Sequence, residues 1–401
     1  MINRYDKKEI SNIWSTKNKF KTYLEVELAL LKSLEGNLVP VNTASKVKEK
    51  ATINLQRIEE IEKEVKHDVI AFCSSITEQL NATEARYFHY GVTSSDIIDS
   101  AMSLMIKDSL NIIIPALKGL LKILWQRSFE METVPCMGRS HGIEAEPMSF
   151  GIKLLGHYCE FYRRLIDLEN YLESELTIQI SGAIGNYTIN KPDIEQNVAN
   201  LLQLKVETCS TQVLPRDRIA KLININSLLA CAIERLSVEI RHLHHSDIGE
   251  LFEGFSKKQK GSSTMPHKKN PISSENLTGI SRVLRSHNNI ALDNIILWHE
   301  RDISHSSGER LYLPDNLGLT FYALSRLTST IKNLIFNKER MTSKVINNTT
   351  YLSSFVLHDL LKNTTLNRDD LYLIVQKASF KSKEDNNPKL FYAELQRELT
   401  L

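Results

Sequence analysis

The chain has 401 residues, 42% of them apolar, and carries 50 Lys plus Arg against 48 Asp plus Glu. That length exceeds one simple core and allows two or three packed units. The near balance of charge speaks against a nucleic-acid or membrane-surface protein, which carries a basic excess, but leaves room for a local basic pocket that takes a small anion.

With only 15 Gly and 10 Pro, turn residues fall well below average usage, which for Gly is about 7%. Few turns over so long a chain mean few, long elements, so an all-α fold is expected. The N-terminus, "MINRYDKKEISNIW", is charged and lacks an apolar centre, so it does not read as a signal peptide. Residues 1–93 read as a first helical unit. "VKHDVIAF" interrupts it with His67 and Asp68. In "HYGVTSSD", residues 89–96, Ser94, Ser95 and Asp96 precede an apolar run, so one of them is expected to cap a helix. The free N–H groups of that helix start, with the hydroxyls of Thr93 and Ser94, would also suit a small carboxylate, although the stretch alone favours the cap.

Residues 95–131 read as a helix apolar on more than one face, which belongs inside a bundle. Pro115 predicts a kink or break in it. Its most apolar part, "NIIIPALKGLLKILW", carries Lys118 and Lys122 and falls short of a membrane span. "GRSHGIEAEP" sets His141 in a glycine-flanked turn beside Arg139. A histidine there either faces solvent or meets a ligand and moves a proton near neutral pH. Helices are predicted over 148–177, over 219–243 and over 272–300. The second shows Leu222, Ile225, Leu229, Ala232, Leu236, Ile240 and Leu243 at steps of three and four. "HLHHSD" puts His242 and His245 three apart, a spacing that permits a metal pair. No further ligand completes a site, so a solvated helix end is expected.

"GSSTMPHKKNP", residues 261–271, stops the helical pattern with hydroxyls, amines and a carboxamide. A solvated loop is one reading. The other is catalytic: a serine is a poor base unless its alkoxide is stabilised, and Lys268, Asn270 and nearby N–H groups could do that. The same cations would hold substrate carboxylates and acidify the adjacent carbon. With a separate histidine as acid, this makes a proton-abstracting elimination site.

No alternating strand-like stretch and no fixed-period repeat is evident. The cysteines (73, 136, 159, 209, 231) show no metal spacing and read as buried free thiols in a reducing, cytoplasmic setting. The expected division is 1–93, a central long-helix bundle over 94–340, and a small helical tail over 341–401. Helices of 25 to 35 residues are long against a mean of about 11–12, which suggests a bundle continued across subunits.

"GSSTMPHKKNP" resembles the signature of the fumarase/aspartase superfamily of lyases. "INRYDKKEISNIWS", "HYGVTSSD", "GRSHGIEAEPMSFG", "SGAIGNYT", "TQVLPRDR" and "WHERDISHSSGERLYLP" resemble, in order, the companion blocks of its adenylosuccinate lyase family. The resemblance implies three helical domains, a homotetramer with a twenty-helix core, and active sites that each draw on three subunits. It implies β-elimination of fumarate from adenylosuccinate, giving AMP, and from the succinyl-carboxamide ribotide SAICAR, giving AICAR. No metal or organic cofactor is implied, and no nucleic-acid or membrane partner.

By position, the resemblance implies that Ser262 is the base and His141 the acid, with His67 and Asp68 beside it. Thr93, Ser94, Ser263, Lys268 and Asn270 would bind the succinyl carboxylates. Gln212 would hold polar groups of the substrate, with Asn276 as a neighbour. Arg4, Tyr5, Arg301, Ser306 and Arg310 would take phosphate and ribose, and Glu275 would support the site by charge pairing. Two positions depart from the family pattern: Ser140 stands where threonine is common, and Glu144 where histidine is frequent. Glu144 would raise the pKa of His141. The chain is also short for the family, so a trimmed C-terminal domain is expected.

Two other functions compete. A sister lyase acting on argininosuccinate, aspartate, malate or a carboxymuconate lacks a phosphate to explain "RY" and the arginines around "SSGER". A non-catalytic helical protein derived from a lyase is at odds with the presence of His141, Ser262 and Lys268.

Overall fold

A computed structural model describes residues 2–255, 264–385 and 387–400. Helices dominate. Five exceed twenty residues: Ser94–Glu130, Phe150–Ser174, Asp217–Leu243, Ile272–Asp293 and Ser304–Lys332. Four of these match the periodic runs in the sequence. The last escapes a periodic reading, because "SHSSGER" at its start is polar and Pro314 lies within it. The helix expected over 272–300 ends at Asp293.

Pro115 does not end its helix, which runs unbroken from Ser94 to Glu130. Its start is organised by Asp96. The Thr93 N–H donates to Asp96 Oδ2 at 2.8 Å while Asp96 N–H donates to the Thr93 carbonyl at 3.0 Å. Asp96 thus satisfies the backbone of the residue before the helix, the reciprocal half of a capping box.

Strands were not expected, yet three two-stranded pairs occur among the described residues. The longest is an antiparallel hairpin of β1 (Pro135–Ser140) and β2 (Ile143–Ser149) with a register shift between Met137 and Arg139. Its two turn residues, His141 and Gly142, have φ of +54° and +78°. Two successive left-handed residues form the tight turn that matches strand twist. The hairpin lacks apolar alternation because much of it is exposed, so only the His-Gly pair could have signalled it.

The chain divides into two compact units, each assembled from three separate stretches. The first comprises Met1–Leu120, Phe161–Glu234 and Asn276–Leu327. One of its cores packs Phe20, Tyr23, Leu30, Phe72 and Phe88 against Ile178, Ile180 and Val198. The second comprises Leu121–Glu160, Arg235–Glu275 and Thr328–Leu401. Within it a small cluster of Leu357, Leu371, Val375, Ala378, Phe391 and Leu395 holds the last helices together.

All five cysteines are free, but Cys159, Cys209 and Cys231 are exposed in the single chain rather than buried. Among the described residues no helix is long and apolar enough to cross a membrane.

Candidate active site

A cavity of about 160 Å³ in the first unit is lined by the start of the Ser304–Lys332 helix and the segment before it, with Arg301, His305, Ser306, Glu309 and Arg310. Lys19 and Tyr23 reach it from the Thr16–Leu34 helix, and Ser95, Asp99, Met102 and Met105 from the Ser94–Glu130 helix. Arg216 completes the polar wall, while Ile98, Leu313 and Pro314 extend the apolar one.

The deepest polar group is Arg216. Its Nη1 and Nη2 donate to the two oxygens of Asp99 at 2.7 and 2.9 Å, and its Nε donates to Glu309 Oε1 at 2.9 Å. The His305 Nδ1 lies 3.1 Å from Glu309 Oε2 and 3.2 Å from Arg216 Nη2. All four side chains are nearly or fully buried. Planar forks matched on both sides are the geometry in which a buried guanidinium can hold its charge.

A second set of charges is more open. Asp68 Oδ1 accepts from the Val69 N–H at 2.9 Å, while Asp68 Oδ2 faces Arg310 Nη2 at 3.1 Å and Lys19 Nζ at 3.8 Å. Arg301 Nη1 donates to Gln212 Oε1 at 3.0 Å, a neutral partner, and its buried Nε has none among the described residues. Two cations therefore share one carboxylate here, and Arg301 beside them has only a neutral partner. Such a surplus suits an anion carrying more than one negative charge.

Beside this set, His67 caps the Asp68–Thr77 helix by accepting from the Ile70 N–H at 3.4 Å, and its Nε2 lies 3.5 Å from Ser94 Oγ. The fold thus joins His67, Asp68, Ser94 and Arg310, which are spread over more than 200 positions of sequence. Asp96 fastens the same helix start to the "SGAIG" loop: the Ser181 and Gly182 N–H groups both donate to it at 3.2 Å. Burial pushes the Asp96 carboxyl up to about 7, against these three N–H donors. Tyr5 and Asn276 form another cluster, with Asn276 Nδ2 3.4 Å from the Tyr5 hydroxyl and the Tyr5 and Tyr322 rings 5.0 Å apart. Arg4 is exposed, and Thr93 is half-buried at the helix start.

The second unit carries the other expected residues. His141 is exposed at the hairpin tip. Two residues before that tip, Arg139 pairs with buried Glu250, itself 3.2 Å from Lys344 Nζ. Glu144 accepts from Arg139 at 3.3 Å and from Asn348 Nδ2 at 3.1 Å. Lys268 is exposed and Asn270 half-buried just before the Ile272–Asp293 helix. Glu275 lies exposed in its first turn, with no ion pair among the described residues. Ser262 and Ser263 lie outside the described residues.

Among the described residues the one cluster with metal-ligand spacing is not at "HLHHSD" but at Glu27, Cys73 and His89. Both Glu27 oxygens already accept from His89, from its N–H at 3.1 Å and at its Nδ1 at 2.6 Å. Burial pushes the Cys73 thiol up, away from the thiolate a metal needs. The cluster therefore reads as a clamp on His89, which has φ +61°. Sequence reasoning missed Lys19, Asp99, Arg216, His305 and Glu309, because no local pattern marks which charges will face one another.

A family model described as Lyase matches residues 7–285. The adenylosuccinate lyase of Thermotoga maritima is 40% identical over 384 residues, covering 95% of this chain and 89% of that protein. The adenylosuccinate lyase of Aquifex aeolicus is 41% identical over 391 residues, covering 96% and 89%. The crystal structure of a fumarate lyase from Mesorhizobium sp. BNC1 superposes with a TM-score of 0.88 at 21% identity, over 99% of this chain and 91% of that one, which shows the shared fold. Sequence and architecture agree: the chain belongs to the fumarase/aspartase superfamily of lyases, in its adenylosuccinate lyase family.

Proposed function

We propose that the protein eliminates fumarate from adenylosuccinate, giving AMP, and from SAICAR, giving AICAR. The observation that carries this reading is the 40% identity to an adenylosuccinate lyase over most of both chains. The cavity supports it, because Lys19 and Arg310 share the single carboxylate of Asp68 and Arg301 is held by a neutral amide, which leaves positive charge for a nucleotide phosphate.

In the proposed reaction the Ser262 alkoxide removes a proton from the succinyl carbon next to a carboxylate. The C–H electron pair becomes the C=C bond of fumarate. The C–N bond breaks with its pair going to nitrogen, which takes a proton from His141. His67 and Asp68 position that acid. Thr93, Ser94, Ser263, Lys268 and Asn270 bind the carboxylates and stabilise the dianion formed on deprotonation. Gln212 and Asn276 hold polar groups, Glu275 supports the site, and Arg4, Tyr5, Arg301, Ser306 and Arg310 take the phosphate and ribose.

The working assembly is proposed to be a cytoplasmic homotetramer of three-domain chains (1–93, 94–340 and 341–401) with sites shared among three subunits. Exposed Ile152, Tyr162, Ile166, Leu228, Val283 and Ile290 on the long helices support such burial between copies. The test is to mix the protein with adenylosuccinate and assay fumarate and AMP. Stoichiometric appearance of both is expected, and no turnover by a folded tetramer would sink the reading. His141→Ala and Ser262→Ala should each nearly abolish turnover, and mixed tetramers of the two should regain part of it.

A further inference from the structure

We infer that Lys19 joins Arg301 and Arg310 in binding the phosphate monoester of the substrate, with Asp68 as the counter-ion that Lys19 and Arg310 share. This rests on the function proposed above and adds a residue to its anion site.

Lys17, Lys19 and Lys21 follow one another in "TKNKFK", and the helix separates them. Lys17 and Lys21 are exposed, whereas Lys19 is half-buried and lines the cavity. Its ammonium lies 4.4 Å from the centre of the Phe20 ring and 5.7 Å from that of Tyr23. Those ring faces hold the charge at the cavity wall rather than in bulk water. Burial draws the Lys19 pKa down, Asp68 draws it back up, and Arg310 lowers it further.

Asp68 does not saturate the pair of cations it faces. One of its oxygens is used by the Val69 N–H, so a single oxygen meets both Arg310 and Lys19. An ammonium has three donors and a guanidinium five. Donors remain on both, beside an Arg301 that donates to the neutral amide of Gln212. A phosphate monoester brings three terminal oxygens and close to two negative charges, which matches this surplus. A lysine that merely neutralised Asp68 would contribute to folding and would not distinguish ligands with phosphate from those without it.

The experiment compares wild type, Lys19→Met and Lys19→Arg as full-length protein. It measures KM and kcat for adenylosuccinate, and inhibition by AMP and by fumarate, which has no phosphate. For Lys19→Met the expected result is that KM for adenylosuccinate and the inhibition constant for AMP rise together, by about 10- to 100-fold for one charged hydrogen bond. The fumarate constant stays within about twofold, kcat falls far less than KM rises, and Lys19→Arg recovers most of the loss. Unchanged AMP inhibition, or equal weakening toward AMP and fumarate in a folded variant, overturns the inference. Should Lys19→Met fail to fold, Lys19→Gln decides in its place by the same criterion: the AMP constant must weaken at least about tenfold while the fumarate constant stays within about twofold. Wild type without turnover on adenylosuccinate defeats the proposed function itself. A wild type that turns over with Lys19→Met indistinguishable from it defeats only the role of Lys19.

Discussion

Arg216 and Arg310 line one cavity, yet their surroundings differ. The Arg216 side chain is 2% exposed and held by the carboxylates of Asp99 and Glu309. The Arg310 side chain is 60% exposed and shares Asp68 with Lys19. Paired by two acids, Arg216 has little capacity left for a ligand and serves to hold the Ser94–Glu130 helix to the start of the Ser304–Lys332 helix. Arg310 keeps donors for an incoming anion. The number of acceptors around a guanidinium, not its presence in a pocket, separates structure from binding.

The sharpest way to break this comparison is Arg216→Met. It leaves two carboxylates buried without their cation, so a loss of about 3–5 kcal/mol in urea unfolding is expected. A variant as stable as wild type would show that Arg216 is not structural. Arg310→Met should behave in the opposite sense: stability changes by less than about 1 kcal/mol because the pair with Asp68 is exposed on the Arg310 side. Its KM for adenylosuccinate should rise about tenfold or more. Equal loss of stability in the two variants would erase the distinction.

An effect spread over pH concerns Asp96, three residues before Asp99 on the same helix. Asp99 is matched by a guanidinium, whereas Asp96 is matched by three backbone N–H groups. Its folded pKa of about 7 lies above the ordinary aspartate value of 3.8. Between those two values the folded state keeps a proton that the unfolded state has released. Stability is therefore full below about pH 4 and falls as pH rises toward 7, by on the order of 1 kcal/mol per unit. Denaturation at several pH values should show that Asp96→Asn removes this slope. A slope unchanged in Asp96→Asn would mean that the backbone donors keep Asp96 ionised.

Part of the candidate site was marked in sequence by short polar blocks that interrupt apolar periodicity, and the rest only by resemblance to a lyase family. "VKHDVIAF" and "HYGVTSSD" were expected to contribute to one site, and the structure brings His67 within 3.5 Å of Ser94. The resemblance of "WHERDISHSSGERLYLP" to a family block pointed to Arg301, Ser306 and Arg310, and all three line the same cavity. Lys19 was not legible, because it is one of three lysines in a row of alternating positions and only helical rotation selects it. The hairpin that carries His141 was not legible either. Its buried residues, Cys136 and Met137, are adjacent rather than alternating, and most of the second strand is exposed, so no period-two pattern marks it.

Length, low Gly and Pro content and the three-and-four spacing of apolar residues determined by themselves that this chain is helical and where most of its long helices run. Helical periodicity is a local property, set by which residues a helix brings to one face. The tertiary structure alone decided which charges are spent on holding the fold. Arg216 meets Asp99 and Glu309 across 117 and 93 positions of chain. Electrostatic pairing depends on distance and burial in space, and neither is written in the order of residues.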